Sequence, residues 1–190
     1  MNVLALIPAR KGSKRLPNKN TSVIVGKTLV EHAIDHAWNS YVVGKVVVLS
    51  ADEKVKEIVS KCKGVFFEDE PEEFCKDDTQ AEEYVRYIES KYMFDVLVLL
   101  QPTSPVRFGY DIDKCVRLLV SDDTVNSVVT VSRRLKYCFV PNGNVFVIRR
   151  GCDFYSDSMV CVVQDETTSV DVDTEFNFNV AKMVLEGEKK

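Results

Sequence analysis

Short runs of consecutive apolar residues, rich in Val and Ile, alternate along the chain with stretches whose apolar positions recur at helical spacing. The runs predict strands at Val3–Pro8, Lys45–Ser50, Val65–Glu68, Val96–Gln101, Ser127–Val131, Asn144–Ile148 and Val160–Val163. The amphipathic stretches predict helices at Thr28–Asn39, Asp52–Lys61, Thr79–Ser90, Tyr110–Leu119 and Thr174–Leu185. Most of the strand runs are continuous rather than alternating, which predicts a sheet covered on both faces. Strand and helix alternating in this way predict an α/β fold with a mostly parallel sheet built from β-α units rather than hairpins. From Ser132 to Thr168 the pattern is less regular, with short apolar pieces separated by Arg, Gly, Asn and Asp. No internal repeat or linker divides the chain, so one domain over residues 1–190 is expected, with Gly187–Lys190 as a frayed tail.

Composition narrows the function classes. The 190 residues are 45% apolar and 28% charged, enough for a full core. No apolar run approaches the roughly 18 residues of a membrane span, and Met1–Ala9 lacks the pattern of a secretion signal, so a cytoplasmic location is expected. A net charge of -4 argues against a general nucleic-acid or membrane surface. The six cysteines form no C-x-x-C pair and no zinc-finger spacing with the two histidines, and read as reduced thiols, several of them in the core. His32 and His36 stand four apart but have no third ligand nearby, which favours an exposed helical face over zinc. Cys138 has no neighbouring histidine to activate it and reads as structural.

In an open parallel sheet ligands bind at the carboxyl ends of the strands. Three such places carry unusual chemistry here. The first is "ALIPARKGSKRLPNKN", residues 5–20, where Arg10, Lys11, Lys14, Arg15 and Lys19 gather five of the chain's 25 Lys and Arg directly after the first strand. A triphosphate carries about four negative charges and needs fixed donors from Lys, Arg and backbone N–H groups, and a Gly12-Ser13 pair lets the backbone approach phosphate oxygens. Neither the Walker spacing nor the G-x-G-x-x-G spacing is present, and a solvated basic loop or a weak nucleic-acid patch would carry the same charge.

The second is "LLQPTSPVR", Leu99–Arg107, at the end of the central apolar run. Gln101 carries an amide able to read a base edge, and Pro102 and Pro105 stiffen the turn around Thr103 and Ser104, although an ordinary strand-exit turn has the same composition. The third is "SVDVDTEFNFNVAKMVLE" from Ser169. Asp171 and Asp173 are two apart on an extended segment and project to one face, a hard-oxygen pair suited to Mg²⁺. Asp173 is equally placed to cap the helix that starts near Thr174.

These motifs together resemble the sugar cytidylyltransferases, in particular the N-acylneuraminate (CMP-sialic acid synthetase) branch. The first loop fills every fixed position of I-P-A-R-x-G-S-K-x-x-x-x-K-N; "LLQPTSPVR" matches L-Q-P-T-S-P-x-R, and "DVDTEFN" is similar to D-I-D-T-x-x-D. The resemblance implies a Rossmann-like three-layer sandwich of the nucleotide-diphospho-sugar transferase type. It also implies CTP as one partner and a 2-keto sugar acid as the other, with CMP transferred and pyrophosphate released. Arg10, Lys14 and Lys19 are implied to hold the phosphates, with Ala9, Gly12, Ser13 and Asn20 shaping the loop. Gln101 is implied to face the cytosine or its ribose, with Thr103, Ser104 and Arg107 completing the nucleotide site and Asp171 and Asp173 binding magnesium.

The sugar half departs from the pattern. "PNGNVFVI" resembles the family's N-G-x-x-Y strand, giving Asn142 as a sugar contact and Phe146 near the tyrosine position. Only "SRRLKYCFV" spans a gap where family members carry a long segment with sugar contacts and a projecting dimer arm, so Arg133 or Arg134 is left to meet the sugar carboxylate, and any homodimer would lack that arm. Glu70 stands where the family's R-P-x-x-L-A-x-D-x-T stretch has its arginine, Asp78 and Thr79 read as a helix cap, and Asn177 replaces the third acid. A nucleotidyltransferase for another sugar or a polyol phosphate, or a nucleotide binder without catalysis, would share the first loop.

Overall fold

The computed structural model describes residues 1–12, 16–74, 79–135 and 138–187, with backbone alone at 133–135, 138, 166 and 167. Nine strands are numbered here in chain order: β1 (Val3–Pro8), β2 (Val23–Ile24), β3 (Lys27–Thr28), β4 (Lys45–Ser50), β5 (Val65–Asp69), β6 (Val96–Leu99), β7 (Ser127–Leu135), β8 (Cys138–Arg149) and β9 (Met159–Gln164). The helices are α1 (Leu29–Trp38), α2 (Glu53–Ser60), α3 (Ala81–Lys91), α4 (Gly109–Ser121) and α5 (Glu175–Gly187). Seven strands form one sheet in the order β5-β4-β1-β6-β8-β7-β9, and β2 and β3 form a small antiparallel pair beside it.

The first half of the sheet follows from the apolar runs. Parallel ladders join β1 to β4 and β6, and β4 to β5, so that Ala5 lies between Val46 and Val98. Alternate residues of β1 serve two cores. Val3, Ala5 and Ile7 pack with Val30, Ala33 and Ile34 of α1 and with Ile112, Cys115 and Val116 of α4. Leu4 and Leu6 pack against Tyr84, Val85 and Ile88 of α3. Because both faces are covered, every position of such a strand must be apolar, and this is why the runs are continuous. Each helix start is fixed locally: Thr28 and Glu31 form a reciprocal cap on α1, and the Asp52 carboxylate accepts the Lys54 N–H of α2. The α3 start belongs to Gln80, whose N–H donates to Glu83, while the Thr79 hydroxyl turns to the Phe74 carbonyl; the expected Asp78–Thr79 cap is not used at Thr79, and Asp78 lies outside the described residues.

The second half departs from the expected β-α alternation. β8 pairs antiparallel with both β6 and β7, and only β9 returns to parallel pairing, against β7. β7 and β8 extend well past the predicted cores at Ser127–Val131 and Asn144–Ile148. Beyond the helical layer a ladder needs main-chain partners but no apolar side chains, so the hydrophobic pattern fades while the strands continue; Phe139 and Val140 there are exposed. A register shift between Val129 and Val131 leaves Thr130 opposite a bulge. Its hydroxyl takes over the ladder bonds there, accepting the Val145 N–H at 2.9 Å and donating to Asn142 Oδ1 at 2.7 Å.

Among the described cysteines Cys115 is buried, Cys62 and Cys152 are partly exposed and packed against the core, and Cys161 is exposed; Cys75 and the Cys138 side chain lie outside the described residues. One sequence expectation about a single residue is corrected here. His36 is not on an exposed face: it is buried against the α1–α4 contact, and its Nδ1 has no hydrogen-bond partner. His32, by contrast, bonds the Ile24 carbonyl. No helix among the described residues is long and apolar enough to cross a membrane.

Two outcomes follow from this packing. A Cβ on Gly109 would meet the Asn39 carbonyl oxygen at 2.3 Å, a backbone contact with nowhere to go, so Gly109→Ala is expected to cost about 2–3 kcal/mol, read as a lowered urea midpoint. Burial, aided by the charges of Arg107, His32 and Lys27, holds the His36 pKa well below 6.5. As pH falls below about 6.5 the unfolded chain binds a proton that the native state refuses, so stability is full above that pH and lost below it. The melting temperature should therefore fall between about pH 7 and about pH 5, and His36→Leu should flatten that slope.

Candidate functional site

The carboxyl ends of β1 and β6 open onto a cleft of about 320 Å³. Its walls come from three distant parts of the chain. Pro8, Arg10, Lys19 and Asn20 come from the first loop; Gln101, Pro102 and Thr103 from the turn after β6; and Asp171 and Asp173 from the segment before α5, with Thr79 and Tyr84 closing the α3 side.

The first loop is a closed structure at its described ends. Ala9 is buried, its N–H bonding Leu49 and its carbonyl accepting the Ser50 hydroxyl. Gly12 takes a φ of 87°, open to glycine at no steric cost. At the far end the Asn20 side chain donates to the Arg10 carbonyl at 3.0 Å, drawing the two limbs together and placing Arg10 and Lys19 on the same cleft. Ser13 and Lys14 lie outside the described residues.

The acidic limb is set by the apolar residue between the two acids. Val172 is fully buried with Ile24, Leu29 and Val106, and its N–H donates to the Thr103 carbonyl at 2.7 Å. The expected extended run is not seen: the Asp173 N–H donates to the Asp171 carbonyl at 3.1 Å, a tight turn about the buried Val172, and Asp171 and Asp173 on either side of it both line the cleft. Lys19 Nζ reaches Asp173 Oδ1 at 2.7 Å, an ion pair that bridges 154 positions of sequence. The capping alternative for Asp173 does not hold: the Asn177 N–H donates to the Thr174 hydroxyl, which makes Thr174 the cap of α5. The Asn177 side chain turns back to the Asp171 carbonyl at 2.8 Å and thereby braces the acidic segment.

A family model described as cytidylyltransferase matches residues 4–176, nearly the whole chain. The chain belongs to the cytidylyltransferase family. It is 27% identical to an N-acylneuraminate cytidylyltransferase of Escherichia coli O18:K1:H7 over 214 aligned residues, covering 94% of this chain and 51% of that protein. A CMP-N,N'-diacetyllegionaminic acid synthase of Legionella pneumophila is 32% identical over 73% of this chain and 62% of its own length. The chain thus spans about half to three fifths of the length of these curated relatives. The fold matches that of a CMP:2-keto-3-deoxy-manno-octonic acid synthetase complexed with CTP, with a TM-score of 0.77 at 16% identity over 99% of this chain and all of that one.

Several residues that the family resemblance assigns to the nucleotide or the sugar make contacts within the protein. Ser104 and Arg107 are buried beneath the turn rather than in the cleft wall. Arg107 donates to the Gln101 carbonyl and to Asn144 Oδ1, each at 3.0 Å, and so fixes Gln101 from below. Burial pulls its pKa down to about 9, with Asp111 opposing, and it keeps its charge at neutral pH. Asn142 is not among the residues lining this cleft: its amide bonds Thr130, Gln164 and Ser169 inside the β7–β8 bulge. Phe146 packs edge-on to Phe154 in the core cluster that also holds Tyr84. The Arg133, Arg134 and Cys138 side chains lie outside the described residues.

One cleft residue, Tyr84, and one residue beside Gln101, Gly143, were not singled out in the sequence. Tyr84 occupies an apolar position of amphipathic α3 and reads as core, which it partly is. Gly143 takes a φ of 73°, and a Cβ there would meet Gln101 Oε1 at 2.9 Å, so the glycine makes room for the amide.

The separation of cap from cleft is measurable by denaturation. Thr174→Ala removes the helix cap and should cost about 1 kcal/mol, whereas the isosteric Asp173→Asn leaves the cap intact and should move the midpoint less. Equal losses would return the capping role to Asp173.

Proposed function

We propose that this chain, acting as one domain, is a nucleotidyltransferase that moves CMP from CTP to a 2-keto sugar acid of the nonulosonate kind and releases pyrophosphate. One observation carries the reading: cations from the first loop and a paired acidic segment from the far end of the chain meet across a single cleft, with the Gln101 amide between them. The names of the relatives, acylneuraminate and legionaminic acid enzymes, support an acidic nine-carbon acceptor.

In the proposed reaction the anomeric hydroxyl oxygen of the sugar forms a bond to the α-phosphorus of CTP. The bond from that phosphorus to the α,β-bridging oxygen breaks, pyrophosphate leaves with the electron pair, and the hydroxyl proton passes to solvent. Positioning and charge neutralisation carry most of such a displacement. Arg10 and Lys19 would hold the phosphates and stabilise the charge on the departing pyrophosphate, as Lys14 is proposed to do from outside the described residues. Gln101, fixed by Arg107 and by the space above Gly143, would orient the nucleoside or the acceptor, with Thr103 beside it.

Among the described residues no three His, Cys, Asp or Glu side chains are grouped to hold a metal ion. Two carboxylates on one face of the cleft nevertheless fit Mg²⁺, which commonly takes one or two protein carboxylates and fills its shell with water and substrate phosphate. Asp171 and Asp173 would hold it, and it would supply charge neutralisation and a lowered pKa for a bound hydroxyl. Cys62, Cys115, Cys152 and Cys161 are free thiols, which suits the reducing cytoplasm as the proposed compartment.

A second reading, nucleotide binding without turnover, is favoured by one observation. Asn142, Asn144 and Gln164 of the sugar half bond one another instead of facing the cleft. Pyrophosphate release from CTP and Mg²⁺ with a panel of 2-keto sugar acids separates the two: turnover with at least one acceptor is expected, and CTP binding without release from any would leave a binder. In the same assay Arg10→Ala should lower kcat/KM by about two orders of magnitude or more, and replacing CTP by UTP, GTP or ATP should abolish turnover.

A further inference from the structure

Among the described residues Glu70 is an acidic side chain buried close to the cleft wall whose presence the proposed chemistry does not require. It is 7% exposed, and neither carboxylate oxygen has a hydrogen-bond partner. Such a group is costly to keep charged in this environment. Its position is nevertheless fixed. The Glu70 N–H donates to the Ser50 carbonyl at 3.0 Å; the Ser50 hydroxyl donates to the Ala9 carbonyl at 2.6 Å; and Ala9 immediately precedes Arg10. The backbones of Glu70 and Arg10 are thus tied through one serine.

Three groups face the carboxylate from the elements packed around it: the Ala51 amide at the end of β4, the Tyr84 hydroxyl on α3, and the Arg10 guanidinium after β1. Arg10 and Tyr84 both line the cleft. The only full charge among the three is that of Arg10.

We infer that Glu70 is a positioning residue for the phosphate end of the cleft, a buried counter-charge to Arg10 that an incoming polyphosphate displaces, taking up a proton from solvent as it does so. The inference rests on reading the cleft as a nucleotide site. Its physical basis is competition for one cation. While the cleft is open to water, Arg10 offsets part of the cost of a buried carboxylate. When phosphate oxygens engage Arg10, that offset is shared with about four new negative charges nearby, and the carboxylate keeps only the Ala51 amide and the Tyr84 hydroxyl against burial and the added repulsion. Protonation is then the cheaper state.

The sign follows. Burial already pushes the Glu70 pKa above 4.5, against the pull of Ala51, Tyr84 and Arg10. A bound polyphosphate pushes it further in the same direction. Proton uptake on binding means that affinity is highest at low pH and weakens as pH rises through this range. The carboxylate therefore tempers the grip of Arg10 on triphosphate and on pyrophosphate alike, and eases release of the product.

The test is calorimetric titration of CTP, without acceptor, into wild type and Glu70→Gln at about pH 5 to about pH 8, in two buffers of different ionisation enthalpy. Glu70→Gln should bind roughly 3- to 10-fold more tightly at about pH 8, converge with wild type at about pH 5, and show less proton uptake. An infrared difference spectrum of wild type with and without CTP provides a second measurement independent of the variant: a protonated-carboxyl band should grow on binding. Equal affinities and equal proton uptake, or no such band, overturn the role of Glu70 while leaving the nucleotide site standing. Failure of both proteins to bind CTP at every pH overturns the two together.

Discussion

The site depends on one buried valine. Val172 sits at 0% exposure between Asp171 and Asp173, and its burial with Ile24, Leu29 and Val106 decides where both carboxylates go. The Lys19–Asp173 ion pair is the visible link across the cleft, but partly exposed pairs contribute only about 0–1 kcal/mol. Burying a valine side chain contributes about 1.5–2 kcal/mol, and the bond from its N–H to Thr103 adds to that. The apolar contact holds the acidic limb; the ion pair follows from it. This ordering matters for function, because a lysine held only weakly by its acid can be shared with a phosphate without unfolding the segment.

Beneath the cleft the chain spends its polar residues on rigidity. Arg107 carries a buried charge without a carboxylate bonded to it. Its Nε and one terminal nitrogen donate to the Asn144 side chain and the Gln101 carbonyl while Nη1 has no hydrogen-bond partner, and Asn144 in turn reaches Gln164 and the Thr168 carbonyl. The network joins the turn after β6, the β7–β8 bulge and the segment leading to Asp171. Of the residues that the family resemblance assigns to ligand, Arg107 bonds the Gln101 carbonyl, and Asn142 bonds Thr130, Gln164 and Ser169. The orienting role proposed for the Gln101 amide needs such a support, since a side chain free to rotate contributes little to positioning.

The half of the fold built on β1, β4, β5 and β6 was legible because its strands are covered on both faces and write a continuous apolar signal. β1 and β4 end at the residues the pattern predicts. β7 and β8 were legible only where they cross the core, at Ser127–Val131 and Asn144–Ile148; their outer parts are held by main-chain bonds that leave no mark in hydrophobicity. The β2–β3 pair was missed for a related reason. Its turn is Val25-Gly26, both with positive φ, where Asn-Gly is the expected signal. In the site, charge and spacing exposed Arg10, Lys19, Asp171 and Asp173, since each lies in a short motif. Whether Asp173 or Thr174 caps α5 depends on where Val172 is buried, which is tertiary information. Burial of Glu70 and His36 belongs to the same class: a sequence shows a titratable residue but not the neighbours that remove its water.

The most direct measurement is a crystal structure of the protein grown with a non-hydrolysable CTP analogue and Mn²⁺ in place of Mg²⁺. The account predicts triphosphate density between Arg10 and Lys19, with the anomalous peak of the metal against Asp171 and Asp173. A nucleotide bound elsewhere on the sheet, or a metal peak remote from that acidic pair, would contradict it.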